Sequence, residues 1–226
     1  MTNRLSIIVP AYNEAKLIGT NLMELTQVFP DAELIVINDG SIDETANIIL
    51  KFGSQINFVD NRINMGKGFA IRHGMLIASG DYLIFTDADL PFGTEGIKKI
   101  EAALVERNVD VVIAEKVDYK RGMLYFAARK LIRIIIFLLF RFPFQDTQAG
   151  LKGFTRQAAV DIIKNSIING FAIDIEILMI AKKKRLRVGS LNLIARRNEL
   201  RKSHFKVKSG LSLLFDIIKI RLHNYH

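Results

Sequence analysis

The chain has 226 residues, half of them apolar, with no cysteine and no tryptophan. That length suits one domain with a substantial core, and the composition excludes a disordered chain, a disulfide framework and a thiolate metal site. The net charge of +9 hides a division: residues 1–115 carry 9 Lys and Arg against 16 Asp and Glu, whereas residues 116–226 carry 23 against 7, giving halves of −7 and +16. So basic a second half predicts either an anionic partner, a membrane surface or a nucleic acid, or a solvated basic face.

In chain order, LSIIV (5–9) opens the molecule as a strand, and Asn13 and Glu14 interrupt it too early for a signal-peptide core. Leu17, Ile18, Leu22, Leu25 and Val28 recur at helical spacing. ELIVIN (33–38) is the second strand. Ser41 and Glu44 then resemble a capping box ahead of Ala46, Ile48 and Ile49. INFV (56–59), YLIFT (82–86) and DVVIA (110–114) complete five strands, with Thr94 a candidate N-cap for a helix running to about Arg107. Continuous Ile/Val-rich runs alternating with helices predict an α/β fold, a mostly parallel, doubly wound sheet covered on both faces.

Three polar clusters follow strands directly: Asn13–Glu14, Asn38–Asp39–Gly40–Ser41 and Asp87–Ala88–Asp89. In doubly wound sheets that edge binds ligands, although a single Asp there more often caps a helix. Two carboxylates at i and i+2 repel each other unless something offsets their charge. Mg²⁺ or Mn²⁺, held by one or two carboxylates plus phosphate oxygens, is the fitting cation; the four His form no zinc-like cluster. Asn64–Met65–Gly66–Lys67–Gly68 lacks the P-loop spacing and reads equally as a phosphate contact or a turn before a helix.

The second half opens with its most hydrophobic stretch, LYFAARKLIRIIIFLLFRF (124–142). Its longest uncharged run is Ile134–Phe140, far short of the roughly 20 residues a spanning helix needs. As a helix it gathers Arg129, Lys130, Arg133 and Arg141 within an arc of about 120°, with Leu, Ile, Phe and Ala elsewhere. That pattern predicts an interfacial helix on an anionic membrane; a core-facing helix with a solvated basic stripe is the alternative. KKKRLR (182–187) and RRNELRKSHFKVK (196–208) continue the basic character, and LSLLFDIIKIRL (211–222) is a second amphipathic stretch. The expected division is 1–195 as the catalytic domain, its halves meeting near residue 115, and 196–226 as a basic amphipathic segment.

Four ordered motifs, IVPAYNEAKLI (8–18), VINDGSIDET (36–45), NMGKGFAIRHGMLIASGDYLIFTDADLPF (64–92) and QDTQAGLKGF (145–154), resemble family 2 glycosyltransferases. The similarity is to the polyprenyl-phosphate (dolichyl-phosphate) glucosyl- and mannosyltransferase branch and covers roughly residues 4–195. It implies the glycosyltransferase-A fold, a nucleotide-sugar donor and inverting transfer to a lipid phosphate. By the same resemblance Pro10, Tyr12 and Glu14 line the nucleoside site, Asp39 accepts from the base, and Lys67 and Arg72 lie against the nucleotide. Asp89 is the implied direct ligand of Mg²⁺ or Mn²⁺, with Asp87 beside it near the ribose. Asp146 falls where relatives carry an acidic residue near the acceptor, as base or as positioning group. Asp174 and Glu176 match the family's FDxELL pattern. Arg129 and Arg133 would meet the lipid phosphate, and Ser203, Lys206 and Lys208 loosely match a segment that approaches the donor phosphates.

The processive QxxRW signature is absent, which disfavours polymer synthesis. QDTQAG looks more like the glucosyl branch, so UDP-glucose is preferred over GDP-mannose. The expected location is peripheral, on the cytoplasmic face of a membrane, or beside a separate membrane partner. Two other readings stay open: a soluble sugar or protein hydroxyl as acceptor, and, remotely, a basic nucleic-acid-binding protein without a recognisable RNA-binding module.

Overall fold

The computed structural model describes residues 4–117, 134, 136–144, 146–196 and 207–225. Seven strands form one sheet in the order β3-β2-β1-β4-β6-β5-β7. The strands β1 (Leu5–Ala11), β2 (Glu33–Asp39), β3 (Asn57–Asn61) and β4 (Tyr82–Thr86) are parallel neighbours. They alternate with α1 (Ile18–Val28), α2 (Thr45–Leu50) and α3 (Lys67–Ile77). After α4 (Gly93–Glu106) and β5 (Val111–Val117), the chain returns through β6 (Leu151–Thr155), antiparallel to both β4 and β5. Then come α5 (Arg156–Asn165), α6 (Ile173–Lys183), β7 (Val188–Ile194), which pairs parallel with β5, and α7 (Val207–Leu222).

All five sequence-predicted strands are present. Two more, β6 and β7, escaped the hydrophobic pattern because LKGFT and VGSLNLI carry Lys, Gly, Ser and Asn inside them. Alternation along each strand builds a core on either face of the sheet. Ile8, Ile35, Phe85, Ile113 and Phe154 point to the face covered by α3, α5, α6 and α7, and Ile7, Val9, Val36, Ile84 and Leu151 to the face covered by α1 and α4.

Both expected caps are corrected. Thr94 lies inside α4 and its hydroxyl donates to Glu24 at 2.8 Å. Ser41 accepts from the Asn13 N–H at 2.9 Å, and Asp43 takes the Thr45 N–H at the start of α2. These short polar side chains tie one strand-end loop to the next, a use that helix-start patterns do not distinguish from capping.

Of the long amphipathic stretch, 124–133 and 135 lie outside the described residues. Residues 136–140 are helical, with Ile136, Phe140 and Phe142 in the core and Phe137, Leu138 and Leu139 exposed. The second stretch is helical as predicted: α7 buries Leu213, Ile217 and Ile220 and exposes Leu214, Phe215, Ile218 and Leu222. The basic run at 182–187 is partly engaged, since Lys182 donates to the Phe140 carbonyl and Arg187 pairs with Asp110. No helix among the described residues is long and apolar enough to cross a membrane.

Candidate active site

The strand order reverses between β1 and β4, which leaves a crevice beyond their carboxyl ends. Pro10 and Tyr12 close β1 there, and the Asp87–Ala88–Asp89 turn closes β4. The antiparallel register, with Thr86 opposite Leu151, brings the loop 146–150 to the same edge. The Asp87 N–H donates to the Gly150 carbonyl at 2.9 Å, which joins the two motifs directly.

The turn itself is tight. Leu90 N–H donates to the Asp87 carbonyl at 3.0 Å, and Leu90 adopts φ of 42°, a left-handed conformation that costs a non-glycine residue roughly 1–2 kcal/mol. Leu90 and Ala88 are buried, whereas Asp87 and Asp89 are half-buried. The side chain of Asn21, from α1, donates to the Ala88 carbonyl at 2.7 Å and holds the turn from below.

A chain of charges runs inward from Asp87. Lys67 Nζ lies 2.9 Å from Asp87 Oδ1 and 3.1 Å from Asp174 Oδ2. Lys152, on β6, reaches the other oxygen of Asp174 and donates to the Ala149 carbonyl at 2.7 Å. Burial works against the Lys67 charge, but the Asp174 and Asp87 carboxylates outweigh it and hold the ammonium above its ordinary pKa. Burial likewise opposes ionisation of Asp174, yet the two ammonium groups keep its carboxyl below the usual range. Lys152 is pushed down, first by burial and then by Lys67, with Asp174 opposing. Buried charges are tolerated when paired in this way, and removing one partner leaves another uncompensated.

Asp39 is buried and faces its own chain. Its carboxylate accepts from the Met65 N–H at 3.0 Å, the Gly66 N–H at 2.8 Å and the Asn61 side chain at 3.3 Å. It therefore shapes the NMGKG loop, a role that the sequence expectation of a base contact did not include. Gly66 has φ of 98°, and a Cβ there would meet the Asn169 carbonyl at 2.4 Å. That close approach lets the same carbonyl accept from Gly68 N–H at 2.7 Å at the start of α3. Arg72 continues the join: its guanidinium donates to the Ile168 carbonyl and to Asn169 and Ser166. These bonds tie Arg72 to the 166–169 strap, a contact that the motif did not suggest.

Glu14 belongs to the β1–α1 loop, where its N–H donates to Thr45 and its carbonyl receives Leu17 and Ile18. Tyr12 is exposed. Asp146 is buried, accepts from Gln148 N–H at 3.3 Å, and donates its own N–H to Glu115. Its charge acts on Lys152. Glu176 accepts from Ser166, the Ile167 and Ile168 amides, and the Tyr225 hydroxyl at 2.9 Å, so this acidic match is architectural. Arg129, Arg133, Ser203 and Lys206 lie outside the described residues, and Lys208 falls in the first turn of α7.

Sequence reasoning missed Lys152, Glu24 and Arg196. Arg196 pairs with Glu24 through both guanidinium nitrogens at 2.7 Å, and its N–H donates to the Pro91 carbonyl just past the turn. The signal for Lys152 was present as a lone Lys within an apolar strand, between Leu151 and Phe154.

Among the described residues no three carboxylates or imidazoles converge to enclose a metal. Asp87 pairs with Lys67, and Asp89 lies two residues further along the same turn. One or two carboxylates at an open crevice suit Mg²⁺ or Mn²⁺, whose remaining ligands come from substrate phosphate and water. The residues fit such an ion.

A seven-stranded mixed sheet with a carboxylate turn at its switch point is the glycosyltransferase-A arrangement. The sequence model of glycosyl transferase family 2 matches residues 6–172, and the chain belongs to that family. A dolichyl-phosphate beta-glucosyltransferase from Trichomonas vaginalis is 29% identical over 238 residues, covering 96% of this chain and 73% of its own. One from Drosophila melanogaster is 31% identical over 209 residues, covering 80% and 64%. The crystal structure of glucosyl-3-phosphoglycerate synthase from Mycobacterium tuberculosis, holding Mn²⁺, UDP-glucose and phosphoglyceric acid, superposes with a TM-score of 0.75 at 20% identity. It covers 98% of this chain and 79% of that one.

Proposed function

We propose that this chain is an inverting hexosyltransferase that moves glucose from UDP-glucose to a polyprenyl (dolichyl) phosphate at a membrane surface, with GDP-mannose the second choice of donor. The observation that carries it is the join between the Asp87–Asp89 turn and the QDTQAG loop, in a chain whose relatives named for this reaction align over 96% of it. Pro10, Tyr12 and Glu14 line the nucleoside side of the crevice, and Asp39 holds the loop that carries Lys67 toward the diphosphate. A divalent cation bound at Asp89 would neutralise charge on the departing diphosphate. Lys67 adds a fixed positive charge at the same turn, pre-oriented by Asp87 and Asp174.

Attack from the face of the sugar opposite the leaving group inverts the anomeric centre. A phosphate acceptor is already anionic and needs no strong base, so Asp146 positions it or steadies charge on the ring; a hydroxyl acceptor would make Asp146 the base. The outward apolar residues of 136–140 and of α7 support a peripheral position on the cytoplasmic face. Arg129, Arg133, Ser203 and Lys206 are assigned to the phosphates of lipid and donor. Two experiments test this reading. UDP-glucose with Mn²⁺ should raise the melting temperature more than GDP-mannose does. Flotation with anionic vesicles should carry the protein upward; a chain that stays behind points to a soluble acceptor.

A further inference from the structure

Lys152 has a role that the motifs do not supply. It is fully buried, its ammonium 5.4 Å from the centre of the Phe85 ring, and among its contacts are the Ala149 carbonyl and the Asp174 carboxylate. Lys67 holds the other oxygen of that carboxylate and reaches on to Asp87. Two ammonium groups therefore compete for Asp174, and only one of them continues to the turn that faces the donor. We propose that Lys152 is a positioning residue: by sharing Asp174 with Lys67, it sets how much of the Lys67 charge reaches Asp87, and so the charge that the Asp87–Ala88–Asp89 turn offers a divalent cation.

The geometry gives the sign of each change. Without Lys152, Asp174 has one cation left to pair with and draws Lys67 inward, which leaves Asp87 with more of its negative charge. Without the Asp174 carboxylate, the Lys67 and Lys152 ammonium groups stand against Asp87 alone, and the group carries one positive charge in excess. Removing both returns a neutral Lys67–Asp87 pair. Because Lys152 also anchors Ala149, in the loop that carries Asp146, the same ammonium fixes the acceptor side to the donor side.

This inference rests on the donor site proposed above, and direct Mn²⁺ binding separates the two. Mn²⁺ is titrated against the full chain in the presence of UDP, and the free-ion signal is followed by electron paramagnetic resonance. Lys152→Met is expected to tighten Mn²⁺ about fivefold or more and Asp174→Asn to weaken it by a similar factor. The double variant should bind within about twofold of the unaltered protein, and Lys152→Arg should too. A purely structural role would change melting temperature without these opposite signs. Shifts of the same sign, or none in folded single variants, overturn the proposal. If Lys152→Met does not fold, Asp174→Asn decides, since affinity equal to or tighter than that of the unaltered protein is incompatible with the shared carboxylate. If neither single variant folds, a double variant shifted more than about fivefold does the same. An unaltered chain that binds UDP without Mn²⁺ removes the cation site and this inference with it, whereas normal Mn²⁺ binding without the shifts removes the inference alone.

Discussion

Gly150→Ala is the smallest change that should disable the site. A Cβ on Gly150 would lie 1.8 Å from Asp87 Oδ2 and 2.3 Å from its Cγ, whereas real Cβ contacts do not fall below 3.0 Å. Gly150 is not among the glycines with positive φ, so the backbone accepts alanine and the effect is steric. The carboxylate must retreat by roughly 1 Å, which breaks the 2.9 Å pair with Lys67 or tilts the turn. Overpacking of this kind costs about 1–3 kcal/mol of stability, and misplacing a site group by about 1 Å costs roughly a hundredfold in rate. Urea unfolding and kcat/KM for the donor, with lipid acceptor saturating, measure the two effects. Gly189→Ala serves as control, because its Cβ would meet Val109 at an ordinary 3.6 Å; it should stay within about 0.5 kcal/mol and keep full turnover. A Gly150→Ala enzyme turning over within about threefold of the unaltered protein would refute the packing of Asp87 on the QDTQAG loop.

Asp89→Asn should abolish metal-dependent donor turnover while leaving the melting temperature nearly unchanged, since the side chain is half-buried at the turn; thermal unfolding and a donor assay with and without Mn²⁺ check both halves. The Glu24 carboxyl is held at about pKa 2, chiefly by its hydrogen bond to Arg196. A depressed carboxylate stabilises the fold above its ordinary pKa of 4.5 and loses that contribution as pH falls toward 2. Because the pair is partly solvent-exposed, it is worth about 1 kcal/mol or less. Arg196→Ala should flatten the stability profile between pH 4.5 and 2 by that amount, read by denaturant titration at each pH. Tyr225→Phe leaves one acceptor site on buried Glu176 unfilled and should cost about 1.5–3 kcal/mol in urea unfolding; no loss would show that the chain end does not hold that carboxylate.

The nucleotide half of the fold was legible because its strands are unbroken Ile/Val runs with polar residues only at their carboxyl ends. Hydrophobic pattern and ligand edge coincide there. Strand β6 was hidden by the buried Lys152, whose cost is offset by Asp174 some 22 residues later in the chain, and no local pattern reports such a partner. The same distance explains Arg72 and Asp39. Each sits in a motif that points to the nucleotide, yet each makes its hydrogen bonds to a strap or loop that only tertiary structure brings close. The caps failed for a related reason, since Ser41 found its partner in the β1–α1 loop and Thr94 found its on α1, before any helix amide. The carboxylate turn was legible as a pair with unequal roles; the Lys67 partner of Asp87 was not.

The most direct test is transfer itself. The chain is incubated with radiolabelled UDP-glucose, Mn²⁺ and polyprenyl phosphate in mixed micelles, and the organic phase is counted. Label should partition with the lipid, should vanish with Asp89→Asn, and should vanish when the lipid alcohol replaces its phosphate. Label that stays aqueous with every lipid phosphate, in a protein that binds UDP-glucose and Mn²⁺, would contradict the proposed acceptor.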